Sequence, residues 1–156
     1  MRKTETANRP FKFAYPRNVR FRCNLCALCC GDTEKRKRKI LMLKTEASQI
    51  SQKTTLKIEE FAQKTEGSEP YIYQMRKTIN GKCIFLKDNL CTIYSHRPLI
   101  CRFYPFELKN EGHNQYAFAY ATECPTIGKG RVLKKEFYEK LFKKLETTLK
   151  ENVKIT

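Results

Sequence analysis

Hydrophobic positions along this chain fall in short runs broken by turn residues, and only near the C-terminus do they hold one period for long. Leu133, Phe137, Leu141, Leu145 and Leu149 recur at every fourth position while Lys134, Lys135, Lys140, Lys143, Lys144 and Lys150 take other faces. That spacing predicts an amphipathic helix over residues 132–152. Gln115-Tyr116-Ala117-Phe118-Ala119-Tyr120 alternates as a half-buried strand does. Ile40-Leu41-Met42-Leu43 reads as a strand, after which Thr45 is placed to cap a helix beginning at Glu46. Ile50, Leu56, Ile58 and Phe61 carry one or two helices to about residue 65, where Gly67-Ser68-Glu69-Pro70 ends the pattern.

The middle of the chain reads as hairpins. Tyr71 to Met75 and Lys77 to Ile79 are expected strands, Asn80-Gly81 is a strong hairpin turn, and Cys83 to Leu86 returns. Lys87-Asp88-Asn89 turns again before Cys91-Thr92-Ile93-Tyr94. Arg97-Pro98 opens a short helix from Leu99 to Phe103 that carries Cys101 and stops at Pro105. Cys124 to Gly130 reads as a loop. Residues 1–20, interrupted by Asn8-Arg9-Pro10 and Tyr15-Pro16-Arg17, read as a basic, weakly ordered lead, with residues 21–156 as a single cysteine-rich domain. The expected fold class is α+β: a small domain of short β hairpins, cysteine-bearing loops converging on a metal site, and a long amphipathic C-terminal helix.

Composition changes this picture in two ways. The 156 residues suit one domain with a core of its own. No apolar run approaches the roughly 18 residues that span a bilayer. Met1-Arg2-Lys3-Thr4-Glu5 leads into no apolar run, so no secretory signal is read and a cytoplasmic location is expected. The formal charge is +16, from 32 Lys and Arg against 16 Asp and Glu. Lys35-Arg36-Lys37-Arg38-Lys39 concentrates part of it. Such a run attracts phosphates, but no aromatic side chain lies between its cations to stack a base. At most weak, non-specific nucleic-acid binding is expected.

The chemistry lies in eight cysteines. They open as Cys23-x2-Cys26-x2-Cys29-Cys30 and continue as Cys83, Cys91, Cys101 and Cys124. Cys-x2-Cys turns both sulfurs of a tight loop toward one ion. A disulfide framework belongs to secreted chains, so in a reducing interior metal outranks it. All eight are therefore candidate metal ligands. The x2-x2 spacing and the Cys124-Pro125 dipeptide resemble the elements of a ferredoxin run, which favours an iron–sulfur cluster, 4Fe–4S in type, over zinc. Neighbouring side chains in extended backbone point to opposite sides. Cys29 and Cys30 are thus expected to serve different centres, dividing the thiols into two four-thiolate sites or one site and a remainder. Arg97 and Arg102, with Arg22, would stabilise the resulting negative charge. His96 and His113 are read as turn and loop residues rather than ligands. No Ser/His/Asp arrangement, P-loop or glycine-rich dinucleotide fingerprint occurs, and the C-x3-C-x2-C spacing is absent.

These residues resemble the CxxCxxCC proteins, zinc- or iron-chelating domains often described as containing iron–sulfur clusters. The resemblance runs over roughly residues 20–130. It is carried by Cys23-Asn24-Leu25-Cys26-Ala27-Leu28-Cys29-Cys30, Cys83-Ile84-Phe85-Leu86, Cys91-Thr92-Ile93-Tyr94, Arg97-Pro98, Cys101-Arg102-Phe103-Tyr104-Pro105-Phe106 and Cys124-Pro125. Ala27 departs from the family, whose members usually have Gly there, a residue that tolerates positive φ. The family includes proteins resembling flagellin lysine N-methylases. The resemblance thus implies metal binding more firmly than any reaction, and enzyme activity stays open. The leading expectation is an iron–sulfur protein acting in electron transfer, sensing or maturation with a protein redox or substrate partner. The alternatives are a zinc-stabilised basic module for nucleic acid and a lysine N-methyltransferase-like enzyme.

Overall fold

The structure, a computed structural model, describes residues 12–24, 26–34 and 36–155, and of Leu28 only the backbone. Residues 1–11 of the expected lead, with Leu25 and Lys35, lie outside the described residues. The strands are β1 (Lys12–Ala14), β2 (Arg20–Phe21), β3 (Leu41–Met42), β4 (Ala62–Lys64), β5 (Tyr73–Met75), β6 (Leu86–Lys87), β7 (Leu90–Cys91), β8 (Phe106–Gly112), β9 (Gln115–Tyr120) and β10 (Ile127–Val132). The helices are α1 (Lys44–Thr54), α2 (Ile58–Phe61), α3 (Leu99–Phe103) and α4 (Lys135–Ile155). They form one small α+β domain. Among the described residues no helix is long and apolar enough to cross a membrane.

Four small sheets replace one large one. They run β1-β9-β8, β10-β2, β3-β5-β4 and β6-β7. The strand expected over 115–120 and the helix expected over 99–103 both form as read. The strand of residues 77–79 reduces to a single bridge from Lys77 to Cys83. Four expectations are corrected. Residues 12–14 of the lead pair in parallel with β9, because Phe13 stacks on Phe142 with ring centroids 5.0 Å apart and Tyr15 on Tyr138 at 4.8 Å. Burying two aromatic rings outweighs the local breaks made by proline. The helical stretch read to residue 65 ends at Phe61, and residues 62–64 join β5 as a strand. The loop read from Cys124 runs into β10, which pairs with β2 across an irregular register despite its glycines. β8 was not expected, although Phe106-Glu107-Leu108-Lys109 alternates; its antiparallel pairing to β9 places Phe106 opposite Tyr120.

Two cores result. The first gathers Ile40, Met42, Ile50, Phe61 and Phe85, with Cys83 buried in it and Cys30, Cys91 and Cys101 packed against its edge. The second is aromatic and lies under α4, around the fully buried Tyr138. The four-residue leucine stripe of α4 closes over it, as its period requires. The passage from β3 into α1, and α3, serve both cores. Met42 faces the first and Leu43 the second, while Leu99 and Phe103 enter the second and Ile100 and Cys101 reach the first.

The start of α1 explains how α3 is held. Thr45 does not cap the helix; α1 begins at Lys44 behind Leu43. Glu46 Oε1 accepts the Leu43 N–H at 3.0 Å, and its Oε2 accepts the Leu99 N–H at 2.5 Å. A single carboxylate therefore satisfies backbone donors at the first turns of two helices. Burial pushes the Glu46 carboxyl above its ordinary value. Asn152 Oδ1 accepts the Thr45 N–H at 3.1 Å, tying the end of α4 to the same turn.

Glu46→Ala leaves two buried donors without acceptors. Denaturant unfolding is expected to show a loss of about 1–3 kcal/mol. Among the described residues the buried Tyr138 hydroxyl has no hydrogen-bond partner, so Tyr138→Phe is the matching control, expected to leave the unfolding midpoint unchanged or higher.

Candidate metal centre

The cysteine loop is built from local bonds. Asn24 Oδ1 accepts the Cys26 N–H at 3.1 Å. Ala27 then takes φ 65° and ψ 11°, in the left-handed region. A 3-10 turn over Leu28–Cys30 follows, closed by the Cys30 N–H donating to the Ala27 carbonyl at 3.0 Å. The expectation that Cys29 and Cys30 point to opposite sides is therefore corrected. That alternation belongs to extended backbone, and in the helical turn the two sulfurs lie 3.9 Å apart.

The loop is laced to the hairpin that bears Cys83. The Cys30 carbonyl accepts the Cys83 N–H at 2.5 Å, and the Asp32 N–H donates to the Gly81 carbonyl at 2.8 Å. Gly31 lies between them, where a Cβ would stand 2.5 Å from the Gly81 oxygen and 2.7 Å from the Lys82 Cα. Only glycine permits that approach. The next hairpin places Cys91 at the end of β7, its turn made by Asp88 and Asn89 at φ 51° and 62°. Cys101 is the central residue of α3.

These elements bring Cys29, Cys30, Cys83, Cys91 and Cys101 close enough for their charges to act on one another. The Cys29 and Cys30 sulfurs share a hydrogen bond at 3.9 Å. That bond, aided by Arg38 and Arg36, holds Cys29 down to about 6 despite burial. The same bond raises Cys30. Burial pushes Cys83 up to about 11 and Cys101 to about 12, and it raises Cys91. Cys124 is buried beside Thr126, with its sulfur 3.6 Å from Oγ1. Cys23 and Cys26 are exposed. No disulfide joins any of the eight.

The donor set fits a thiophilic ion. Cysteines from the loop, two hairpins and a helix lie in or beside one core. Burial first, and then the neighbouring cysteines, make several of these thiols resist ionisation, which a bound cation reverses. Among the described residues, no three Cys, His, Asp or Glu side chains converge closely enough to hold an ion as they stand. The approach is therefore partial, and binding requires the side chains to close.

The cations differ from expectation. Arg97 donates to the Tyr94 carbonyl at 2.9 Å and lies 3.8 Å from the Tyr94 ring centroid. Arg102 donates to the Arg97 and Ser95 carbonyls at 3.1 and 2.7 Å. Both brace the turn between Cys91 and Cys101, and Arg97 favours the Cys91 thiolate. Arg22 is exposed. Of the basic pentad, Arg36 and Arg38 turn inward while Lys37 and Lys39 are exposed. Arg36 pairs with Glu123. Asp32 accepts from Lys77 Nζ at 2.8 Å and from the Arg38 N–H at 2.7 Å. His96 Nδ1 lies 3.0 Å from Ser95 Oγ, and burial, with Lys53 and Arg102 nearby, depresses its basicity. His113 occupies the β8–β9 turn at φ 51°. Glu46, Asp32, Arg36 and Arg38 were missed as structural partners of the site. The Arg36, Arg38, Ile40 alternation was the available signal for the last two.

An α+β domain that gathers thiols from separate loops in this way is a sulfur-donor metal-binding domain. A model of the CxxCxxCC family, described as "Putative zinc- or iron-chelating domain", matches residues 22–125. The chain belongs to that family, and it is a metal chelator. It is also 30% identical, over 106 residues, to an uncharacterized protein of Methanocaldococcus jannaschii, covering 65% of this chain and 54% of that protein. The chain thus spans about half the length of that relative. No solved structure matches it.

Ala27 pays for its left-handed backbone in a loop with little apolar content. Ala27→Gly removes a conformational cost of about 1–2 kcal/mol. The variant is expected to resist proteolysis around residues 22–31 longer than the wild type, and equal cleavage rates would show that the turn carries no such strain.

Proposed function

We propose that the protein binds an iron–sulfur cluster of the 4Fe–4S type and acts in electron transfer, sensing or maturation toward a protein partner. The observation that supports this reading most is that Cys30, Cys83, Cys91 and Cys101 lie in or against one hydrophobic core, with the Cys29 sulfur 3.9 Å from that of Cys30. A zinc site and a 4Fe–4S cluster each take four thiolates, and the preference for iron–sulfur rests on the x2-x2 spacing and the Cys124-Pro125 dipeptide. Cys23, Cys26 and Cys124 lie outside this group. All eight remain the proposed ligand set, with these three completing the centre or a second one. When bound, the cluster supplies one-electron chemistry.

The chain's own residues supply the surroundings. Cys83 is buried in the first core and Cys101 packs against it, which keeps water from part of the centre. Arg36 and Arg38 favour the Cys29 thiolate. Arg97 and Arg102 hold the 94–97 turn, so that they act on the centre by position as well as charge. A cytoplasmic location suits thiols left unbridged. The methyltransferase-like alternative rests on the resemblance alone. Nucleic-acid binding loses support from the pentad, since Arg36 and Arg38 are engaged within the protein and, among its described residues, Lys37 and Lys39 face outward.

Anaerobic purification followed by iron, zinc and acid-labile sulfide analysis tests the reading. The protein is expected to be brown, with iron and sulfide in equal amounts. Cys83→Ser and Cys101→Ser are each expected to lose the colour. Colourless protein with stoichiometric zinc and no sulfide would sink the iron–sulfur reading and leave chelation intact.

A further inference from the structure

The inward arginine nearest the thiols does more than supply charge. Arg38 Nε donates to the Cys29 carbonyl at 3.1 Å, and its Nη2 donates to the Ile100 carbonyl at 3.3 Å. One guanidinium therefore spans the cysteine loop and α3. Both acceptors need an outside donor. α3 has five residues, so its later carbonyls lack partners within the helix. Cys29 sits in a 3-10 turn too short to satisfy its own carbonyls.

The surroundings aim the fork. Asp32 holds the Arg38 backbone N–H at 2.7 Å and is itself held by Lys77. The Arg36 and Arg38 guanidinium carbons each lie 5.2 Å from the centroid of the Tyr104 ring. Arg36 donates to the Tyr104 hydroxyl at 3.4 Å and pairs with Glu123. A guanidinium packed on an aromatic face and fixed at its backbone has few other orientations.

We propose that Arg38 is a positioning residue for the metal centre: by bridging the Cys29 and Ile100 carbonyls it sets the separation of Cys29 and Cys101 at which an ion is taken up. The proposal rests on the chelating reading above. Lysine keeps the charge but is a single point donor on a flexible stem, and it cannot reproduce the planar fork. Partners of this kind behind metal ligands typically control affinity by 10–100-fold.

The test uses the full chain, reduced and free of metal under anaerobic conditions, titrated with Co(II). Arg38→Lys is expected to weaken Co(II) binding by about 10–100-fold. It should also lower the thiolate-to-cobalt charge-transfer absorption per bound ion, with the far-UV circular dichroism unchanged. Lys37→Gln, on the same segment but facing outward, is expected to bind as the wild type does. Tyr104→Leu removes the ring that orients the fork and is expected to weaken binding in the same direction by less, which keeps the question open to experiment if Arg38→Lys does not fold. A second measurement needs no metal. Amide hydrogen exchange at residues 29–31 and at residues 99–103 should speed up together in Arg38→Lys. Co(II) affinity within twofold of the wild type, an unchanged spectrum, or unaltered exchange would overturn the bridge. Wild-type protein that binds no Co(II) would overturn the chelating reading instead, and the exchange arm would still decide whether the bridge exists.

Discussion

The buried carboxylate of Glu46 holds α3 in place, and through α3 it holds one wall of the metal centre. A five-residue helix has almost no stability of its own, because nucleation costs more than one turn of hydrogen bonds returns. α3 persists because the Glu46 oxygen at 2.5 Å satisfies its first N–H, because Leu99 and Phe103 enter the aromatic core, and because Arg38 donates to the Ile100 carbonyl. Cys101 lies between these anchorages. Its position is set by groups remote from it in sequence, which is the usual requirement for a preorganised ligand.

The opposite wall follows different physics. Cys29 and Cys30 sit on a 3-10 turn whose approach to the Cys83 hairpin depends on a missing side chain at Gly31 and on backbone bonds from Cys30 and Asp32. These are short-range, geometric constraints. They place the sulfurs near one another but leave them short of a closed set. Bringing several thiolates together in partly buried surroundings is unfavourable until a cation offsets their charge. The raised thiols of Cys83, Cys91 and Cys101 express the same cost.

The charge of the chain also acquires a different meaning in the folded state. A basic pentad suggests a phosphate-binding surface when it is read as five equal cations. In the fold its alternate residues divide between two jobs, since extended backbone sends successive side chains to opposite sides. Arg36 and Arg38 serve the interior with Tyr104 and Glu123, while Lys37 and Lys39 remain in water.

Local signals were enough for elements whose pattern is carried by consecutive residues. The alternation of Gln115 to Tyr120, the proline-opened helix around Cys101 and the leucine stripe of α4 all form, because each encodes its own period. The family and its chelating chemistry were likewise legible in cysteine spacing. What tertiary structure alone decided was every feature that depends on a distant partner. β1 is a strand because Phe13 and Tyr15 find α4 and the Tyr138 ring; β10 is a strand because β2 lies beside it. Glu46 and Arg38 matter because of carbonyls and amides more than fifty positions away in sequence. Hydrophobic period is a property of neighbours, whereas hydrogen-bond partnership across the fold exists only after the chain has closed on itself.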